Sequence, residues 1–261
     1  MAAPDLPGMD PPHRKVVGAV NAVNALVVVA QGLWVRRRLE ILPPAAGPAT
    51  GTAVGADEGA PPLRLGILGD STAAGCGVDT HETSIAGALA RALAARTGRA
   101  VRWQVVGEYG ATIRRIRHRL TPQLEGEYDV VLVLAGVNDV LAGRTPTDWR
   151  EDLKAVVSHV AGMSARVVVA GTPPLETFPS LPRRLGRHLA ARGRELDLMT
   201  REVCDATPNA VFAATDASLV DANFFARDRF HPGRHGYALW ADVLGTIATP
   251  EPSASRENSD A

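Results

Sequence analysis

The sequence predicts an α/β domain with a central parallel sheet of about five strands and helices on both faces. Three observations carry this. Short apolar runs alternate with helix-length amphipathic stretches across residues 63–248. One run, Val130–Leu134, is apolar at every position, as a strand buried on both faces should be. Several runs end in glycine-bearing turns, such as Gly69-Asp70-Ser71. Strands alternating with helices of this length imply right-handed βαβ units, with functional groups gathered at the carboxyl ends of the strands.

The elements follow in order. Leu63–Leu68 is the first strand, and a helix is expected from about Glu82 to Arg96. Val101–Val106 reads as a second strand and Ala111–Leu120 as a short helix. Val130–Leu134 is the third strand, followed by a helix over Asp148–Met163. Arg166–Ala170 is the fourth strand, before a long, Arg-rich helix over Arg183–Cys204. Ala210–Ala213 is a short fifth strand, and Gly233–Ile247 a last helix. No internal repeat is present.

The rest of the 261 residues differs in character. Residues 1–42 form an N-terminal segment whose stretch from Val16 to Val35 carries no charge and is long enough to span a bilayer as a helix. Asn21, Asn24 and Gln31, with Arg14 and Arg38, fall on one helical face. The stretch reads as a membrane anchor or surface helix, as a helix docked on the protein's own domain, or as a cleaved signal peptide. Membrane association through residues 16–35 is the favoured expectation. Arg36-Arg37-Arg38 directly after the stretch oppose export. They also tilt a spanning arrangement toward a cytoplasmic main domain. Residues 43–62, rich in Pro, Gly, Ala and Thr, read as a flexible linker. Residues 249–261 read as a disordered tail.

Composition narrows the function. With 46% apolar and 21% charged residues the chain can build a packed core. Lys plus Arg and Asp plus Glu both number 28, a balance that argues against a nucleic-acid binder. Two cysteines, Cys76 and Cys204, exclude a disulfide scaffold and a four-cysteine zinc site. Cys76 reads as structural.

Ser71 stands at the end of the first strand among small residues, where an exposed nucleophile can sit; alone it reads more readily as the cap of an ordinary turn. A serine nucleophile needs a base. Of the seven histidines, His231 is set apart by Asp228 three residues before it, placed to accept an imidazole N–H. A surface turn before the last helix fits the same residues. His235, four residues on, raises a metal pair with His231, but no third ligand is evident and no metal is expected. The other five histidines, His81 among them, sit among polar neighbours and read as surface residues. Acyl transfer also requires donors for an oxyanion. Asn138, after the third strand, and the backbone of Gly110, after the second, face the same edge as Ser71. Each is also explicable as a turn residue. Pro174, Phe178 and Leu181 follow the fourth strand and form a candidate substrate pocket. The basic clusters Arg114–Arg119 and Arg183–Arg194 read as solvated faces, or as a surface for anionic lipid headgroups.

Gly69-Asp70-Ser71, Gly107-Glu108-Tyr109-Gly110, Gly136-Val137-Asn138-Asp139 and Asp228-Arg229-Phe230-His231 occur in this order along the chain. Together they resemble the SGNH hydrolases, also called GDSL esterases and lipases, over about residues 63–248. Thr172-Pro173-Pro174 and Phe178–Pro182 are similar to an actinobacterial-type, single-domain branch. The resemblance implies a flavodoxin-like three-layer α/β/α sandwich and hydrolysis of carboxylic esters through an acyl-enzyme. It implies Ser71 as nucleophile, His231 as base and Asp228 as its orienting partner. The oxyanion would be held by the Ser71 N–H, the Gly110 N–H and the Asn138 side chain, with no cofactor. One departure stands out: Val105 occupies a position where many members carry Asn. An acyltransferase or thioesterase would use the same residues. A membrane-anchored binding protein on this fold would be expected to lack one of them, and a flavodoxin-like nucleotide binder would leave Asn138, Asp228 and His231 without a role.

Overall fold

The computed structural model describes residues 27–250, apart from 29, 33, 36 and 39. Its centre is a six-stranded sheet in the order β1-β3-β2-β4-β5-β6. The strands are β1 (Thr50–Ala53), β2 (Leu63–Gly69), β3 (Val101–Gly107), β4 (Tyr128–Leu134), β5 (Ser164–Ala170) and β6 (Ala210–Ala213). The five from β2 to β6 are parallel, as expected, and β1 adds an antiparallel edge against β3. Within the parallel part the first strand lies between the second and the third, which is the flavodoxin-like order.

Alternation along the strands sends side chains to two cores. Val131 and Val133 of β4 face one side, and Val130, Leu132 and Leu134 the other. The second face is covered by α2 (Ile85–Thr97) and α7 (Arg234–Ala248). The first is covered by α3 (Ile113–Arg115) with the π-helical turn Ile116–Leu120, α5 (Pro146–Ala161) and α6 (Arg183–Asp205). A five-residue helix, α4 (Val137–Leu141), follows β4 and is too short to leave a periodic signal.

Local chemistry sets the helix ends. Ser84 caps α2 by accepting the Ala86 N–H, so the helix starts after a separate 3-10 turn at His81–Thr83, later than its apolar pattern implies. Thr145 accepts the Asp148 N–H with Pro146 in the first turn, so α5 starts earlier than expected.

Residues 43–62 are not a flexible linker. Leu42 and Ala45 are buried, and the N–H groups of Ala45 and Ala46 donate to Ala74 O at 2.9 Å and Asp79 O at 2.8 Å. Thr50–Ala53 then pairs with Val101–Gln104. Gly51 lies against the Trp103 indole, and a Cβ there would overlap the ring. The glycine that suggests flexibility is the residue that lets strand and ring meet. His81 is likewise not a surface residue: it is buried, its ring centroid 6.3 Å from that of Trp103.

The described positions between 27 and 38 are helical (α1). Val28 and Val35 pack against the domain core, and the Leu185 N–H in the first turn of α6 donates to Gln31 Oε1 at 3.2 Å. Gln31 therefore satisfies a helix end of its own domain, as the docked-helix alternative expects of this part of the stretch, and nothing here supports membrane association. Among the described residues no helix is long and apolar enough to cross a membrane. Arg14, Asn21 and Asn24, and the tail from residue 251, lie outside the described residues. The basic clusters carry local acids: Arg115 pairs with Glu108, Arg192 with Glu195 and Arg194 with Glu176.

Gly51→Ala should force the Trp103 ring aside or lift β1 from the sheet. The expected cost is about 1–3 kcal/mol, as for other overpacked sites, read as a lower midpoint of denaturant unfolding. An unchanged midpoint would show that the Trp103 ring gives way without cost.

Candidate active site

Three strands end level. Gly69 of β2 is in register with Gly107 of β3 on one side and with Leu134 of β4 on the other. The segments that follow therefore emerge side by side. The ladder continues one residue past β2, since the Asp70 N–H donates to Leu134 O at 3.0 Å. Next comes Ser71, only 8% exposed.

His231 reaches this point from a turn just before α7. Its Nε2 lies 2.9 Å from Ser71 Oγ, and its Nδ1 lies 2.6 Å from Asp228 Oδ2. The other Asp228 oxygen accepts the N–H groups of Phe230 at 3.0 Å and His231 at 3.1 Å. Burial disfavours this carboxylate, but the His231 ring and the two backbone donors outweigh it, so its pKa lies below the usual value. The turn holds Arg229 at φ 55°, the one non-glycine residue in the left-handed region among the described residues. That strained backbone lets a carboxylate and an imidazole three residues apart face each other.

Gly110 and Asn138 stand beside Ser71's segment. Gly110 has φ 74°, a conformation that favours glycine, and nothing lies within 4 Å of where its side chain would be. Its backbone thus borders open space. Asn138, in α4, donates through Nδ2 to Ala111 O at 3.1 Å and makes a long contact of 3.5 Å to Asp70 Oδ2. These bonds hold the amide between the segments following β2 and β3.

Two further carboxylates lie beneath. Asp70 Oδ1 accepts the Thr72 N–H at 2.9 Å, and burial raises the Asp70 pKa from 3.8 to about 6. Asp139 is fully buried and accepts the Ile113 N–H, at 3.0 Å to Oδ2. It pairs with Arg144 at 3.3 Å, and Arg144 pairs in turn with Asp152, which also receives Arg117 at 2.9 Å. Burial, only partly offset by Ile113 and Arg144, raises Asp139 from 3.8 to about 7. Asp139 thereby fixes the segment that carries Gly110. Burial pushes the Cys76 thiol up to about 12, which leaves it un-ionised and unreactive at neutral pH.

A cavity of about 60 Å³ opens beside Ser71 and His231. Of the three expected pocket residues Phe178 lines it; Pro174 and Leu181 do not, and Leu181 is spent in the core. Trp240, Phe224, Phe230 and Thr215 line it without having been singled out from the sequence. One signal was present: three of the five phenylalanines fall between 224 and 230. Phe225 and Phe230 meet Phe178 edge to face, with centroids at 5.0 Å and 5.3 Å. His235 does not join His231; its Nε2 sits 2.9 Å from Asp221 Oδ2 on the surface.

Asp139 makes stability depend on pH. The folded protein keeps its proton between pH 3.8 and about 7, where the unfolded chain has released it. Folded protein then binds more protons than unfolded, so this contribution falls as pH rises through the window. Asp139→Asn keeps an acceptor for Ile113 and removes the titration. Its deficit in thermal midpoint relative to wild type should shrink from pH 5 to pH 8. A constant deficit would mean that Asp139 is ionised throughout.

Known proteins share this arrangement of segments. Residues 67–239 match the model of the GDSL-like Lipase/Acylhydrolase family. A GDSL-like esterase of Mycobacterium tuberculosis, Rv1075c, is 29% identical over 191 residues, covering 70% of this chain and 60% of the relative. The chain thus spans about 60% of the length of that curated relative. Among solved structures, LAE5, an alpha/beta hydrolase enzyme from the metagenome of Lake Arreo in Spain, superposes with a TM-score of 0.54 at 20% identity, over 72% of this chain and 97% of its own. The lipase/acylhydrolase from Enterococcus faecalis gives 0.54 at 20% identity, over 73% of this chain and all (100%) of its own. These structures share the fold. The family match extends across well over half of the sequence, and on it the chain belongs to the GDSL-like lipase/acylhydrolase family, the SGNH hydrolases that its motifs resemble.

Proposed function

We propose that the protein is a serine hydrolase that cleaves carboxylic esters through an acyl-enzyme. The observation that carries this reading is the chain of contacts from Ser71 Oγ to His231 Nε2 at 2.9 Å, and from His231 Nδ1 to Asp228 Oδ2 at 2.6 Å. Asp228, held ionised by its donors, keeps the proton on Nδ1. Nε2 is then free to accept the Ser71 hydroxyl proton.

As Ser71 Oγ bonds to the ester carbonyl carbon, its proton passes to Nε2 and the carbonyl oxygen becomes an oxyanion. The donors proposed for that oxygen are the N–H groups of Ser71 and Gly110 and the Asn138 amide; Ser71 and Asn138 line the cavity, and Gly110 follows the neighbouring strand β3. The carbon–alkoxide bond then breaks, and the His231 proton leaves with the alcohol. Water repeats the sequence on the acyl-enzyme: His231 takes its proton, the acid departs, and Ser71 regains its hydrogen. An acyltransferase would replace water by another alcohol at this second step, and a thioesterase would differ in the first leaving group. For α1, the Gln31 bond to α6 favours a docked helix over a membrane anchor.

Purified protein should hydrolyse p-nitrophenyl esters. Ser71→Ala and His231→Ala should each lower kcat by on the order of 10⁴-fold or more, and Asp228→Asn by less than His231→Ala. Asn138→Ala should cost about 10²–10³-fold, the loss of one oxyanion donor. Full turnover by Ser71→Ala would sink the proposal.

A further inference from the structure

The lining of the cavity joins Ser71 and His231 to Leu134 and Ala170 at the ends of β4 and β5 and to Trp240 of α7. Its far lining comes from Ala170 at the end of β5, Phe224, and Trp240 of α7, which are 5%, 6% and 7% exposed. These side chains are buried in the fold, so they wall the cavity off from bulk solvent at that end. Trp240 is the largest of them and sits in the core cluster that joins α7 to Ala170 and Leu134.

The lining defines the chemistry of what fits. At the closed end the polar side chain is Thr215, and its hydroxyl is already committed, donating to Gly171 O at 3.1 Å. The ionisable groups that border the cavity, Asp70 and His231, lie at the Ser71 end and are engaged with Thr72, Asp228 and Ser71. An occupant would meet mostly hydrocarbon and aromatic surface there, with no free side-chain donor and no charge. A hydroxylated or charged group would lose its hydration without replacement, whereas an alkyl chain would lose nothing.

The volume sets the length. A water-sized sphere takes up roughly 10–15 Å³ of this kind of space. A cavity of about 60 Å³ therefore holds roughly four to six heavy atoms. The opposite side of Ser71, past Gly110, is open, and Tyr109 there is 38% exposed. A bulky leaving group has room on that side.

We propose that the closed cavity receives the acyl chain of a short carboxylic ester, with the alcohol directed past Gly110, and that Trp240 sets the upper limit of chain length. This rests on the reading of Ser71 as nucleophile. The test is the profile of kcat/KM for p-nitrophenyl esters from acetyl to dodecanoyl, measured on the full chain. Wild type should peak between butanoyl and hexanoyl and fall steeply at dodecanoyl. Trp240→Ala should raise the dodecanoyl-to-butanoyl ratio by about tenfold or more, since each misfitted methylene discriminates on that scale. Ala170→Val, which fills the cavity, should move the peak toward acetyl. Should Trp240→Ala not fold, Trp240→Phe reads the same shift on a smaller scale. A wild-type optimum at dodecanoyl, or a profile that ignores both the Trp240 and the Ala170 changes, overturns the pocket assignment while leaving Ser71 as nucleophile. No turnover of any ester, together with no covalent labelling of Ser71 by a fluorophosphonate, overturns the nucleophile reading and this proposal with it. Labelling without turnover is decided by comparing butyl and dodecyl fluorophosphonates: faster labelling by butyl supports the short cavity, and faster labelling by dodecyl overturns it.

Discussion

The site depends on the pairing of β2 with its two parallel neighbours. Gly69 is flanked by Gly107 and Leu134, and the Asp70 N–H bond to Leu134 O carries the ladder one residue beyond the strand. Ser71 is thereby fixed by backbone hydrogen bonds before any side chain contributes. The same register sets the start of the Gly110 and Asn138 segments. A slip of one residue in either pairing would reverse the faces of a strand and separate these groups. His231 arrives independently, from the other end of the sequence. It is tied back by α7, whose Tyr237 hydroxyl donates to Cys76 O at 2.7 Å within the segment that follows Ser71.

Carboxylates of one residue type are put to opposite uses around this point. Asp228 is surrounded by donors and ionises more readily than a free aspartate. Asp70 and Asp139 are buried with too few donors and cling to their protons. The difference lies in hydrogen-bond supply rather than in depth alone, because burial opposes ionisation at all three. In the proposed reaction a negative charge beside His231 and partly neutral carboxylates near Asn138 make a favourable distribution for building positive charge on one side of Ser71 and negative charge on the other.

Much of this was legible in the sequence. The five parallel strands follow from apolar runs with period and length that leave little choice, and the sheet order agrees with the fold that the four motifs imply. Ser71, Gly110, Asn138, Asp228 and His231 could be singled out because each adjoins a strand end or a helix start, and the structure brings them to one edge. What stayed hidden depends on tertiary contact. Thr50–Ala53 has a composition typical of a loop, and its strand character comes from pairing with β3 and from Trp103 needing a residue with no side chain opposite it. Trp240 looks like any apolar residue on an amphipathic helix, and its place beside the cavity is set by how α7 crosses the sheet. Gln31 sits in a stretch whose hydropathy suggests lipid, yet its amide oxygen is a partner for the start of α6.

The antiparallel strand β1 lies ahead of residue 67, where the family match begins. β3 would otherwise be the edge of the sheet, with a row of unpaired backbone groups beside an uncovered indole. Such an edge is a template for pairing with another chain. β1 therefore acts as a guard on solubility. A protein shortened to begin at Leu63 would keep β2 and every described group around Ser71 and still be prone to self-association through β3, so colloidal behaviour and the proposed chemistry are governed by different parts of the same chain.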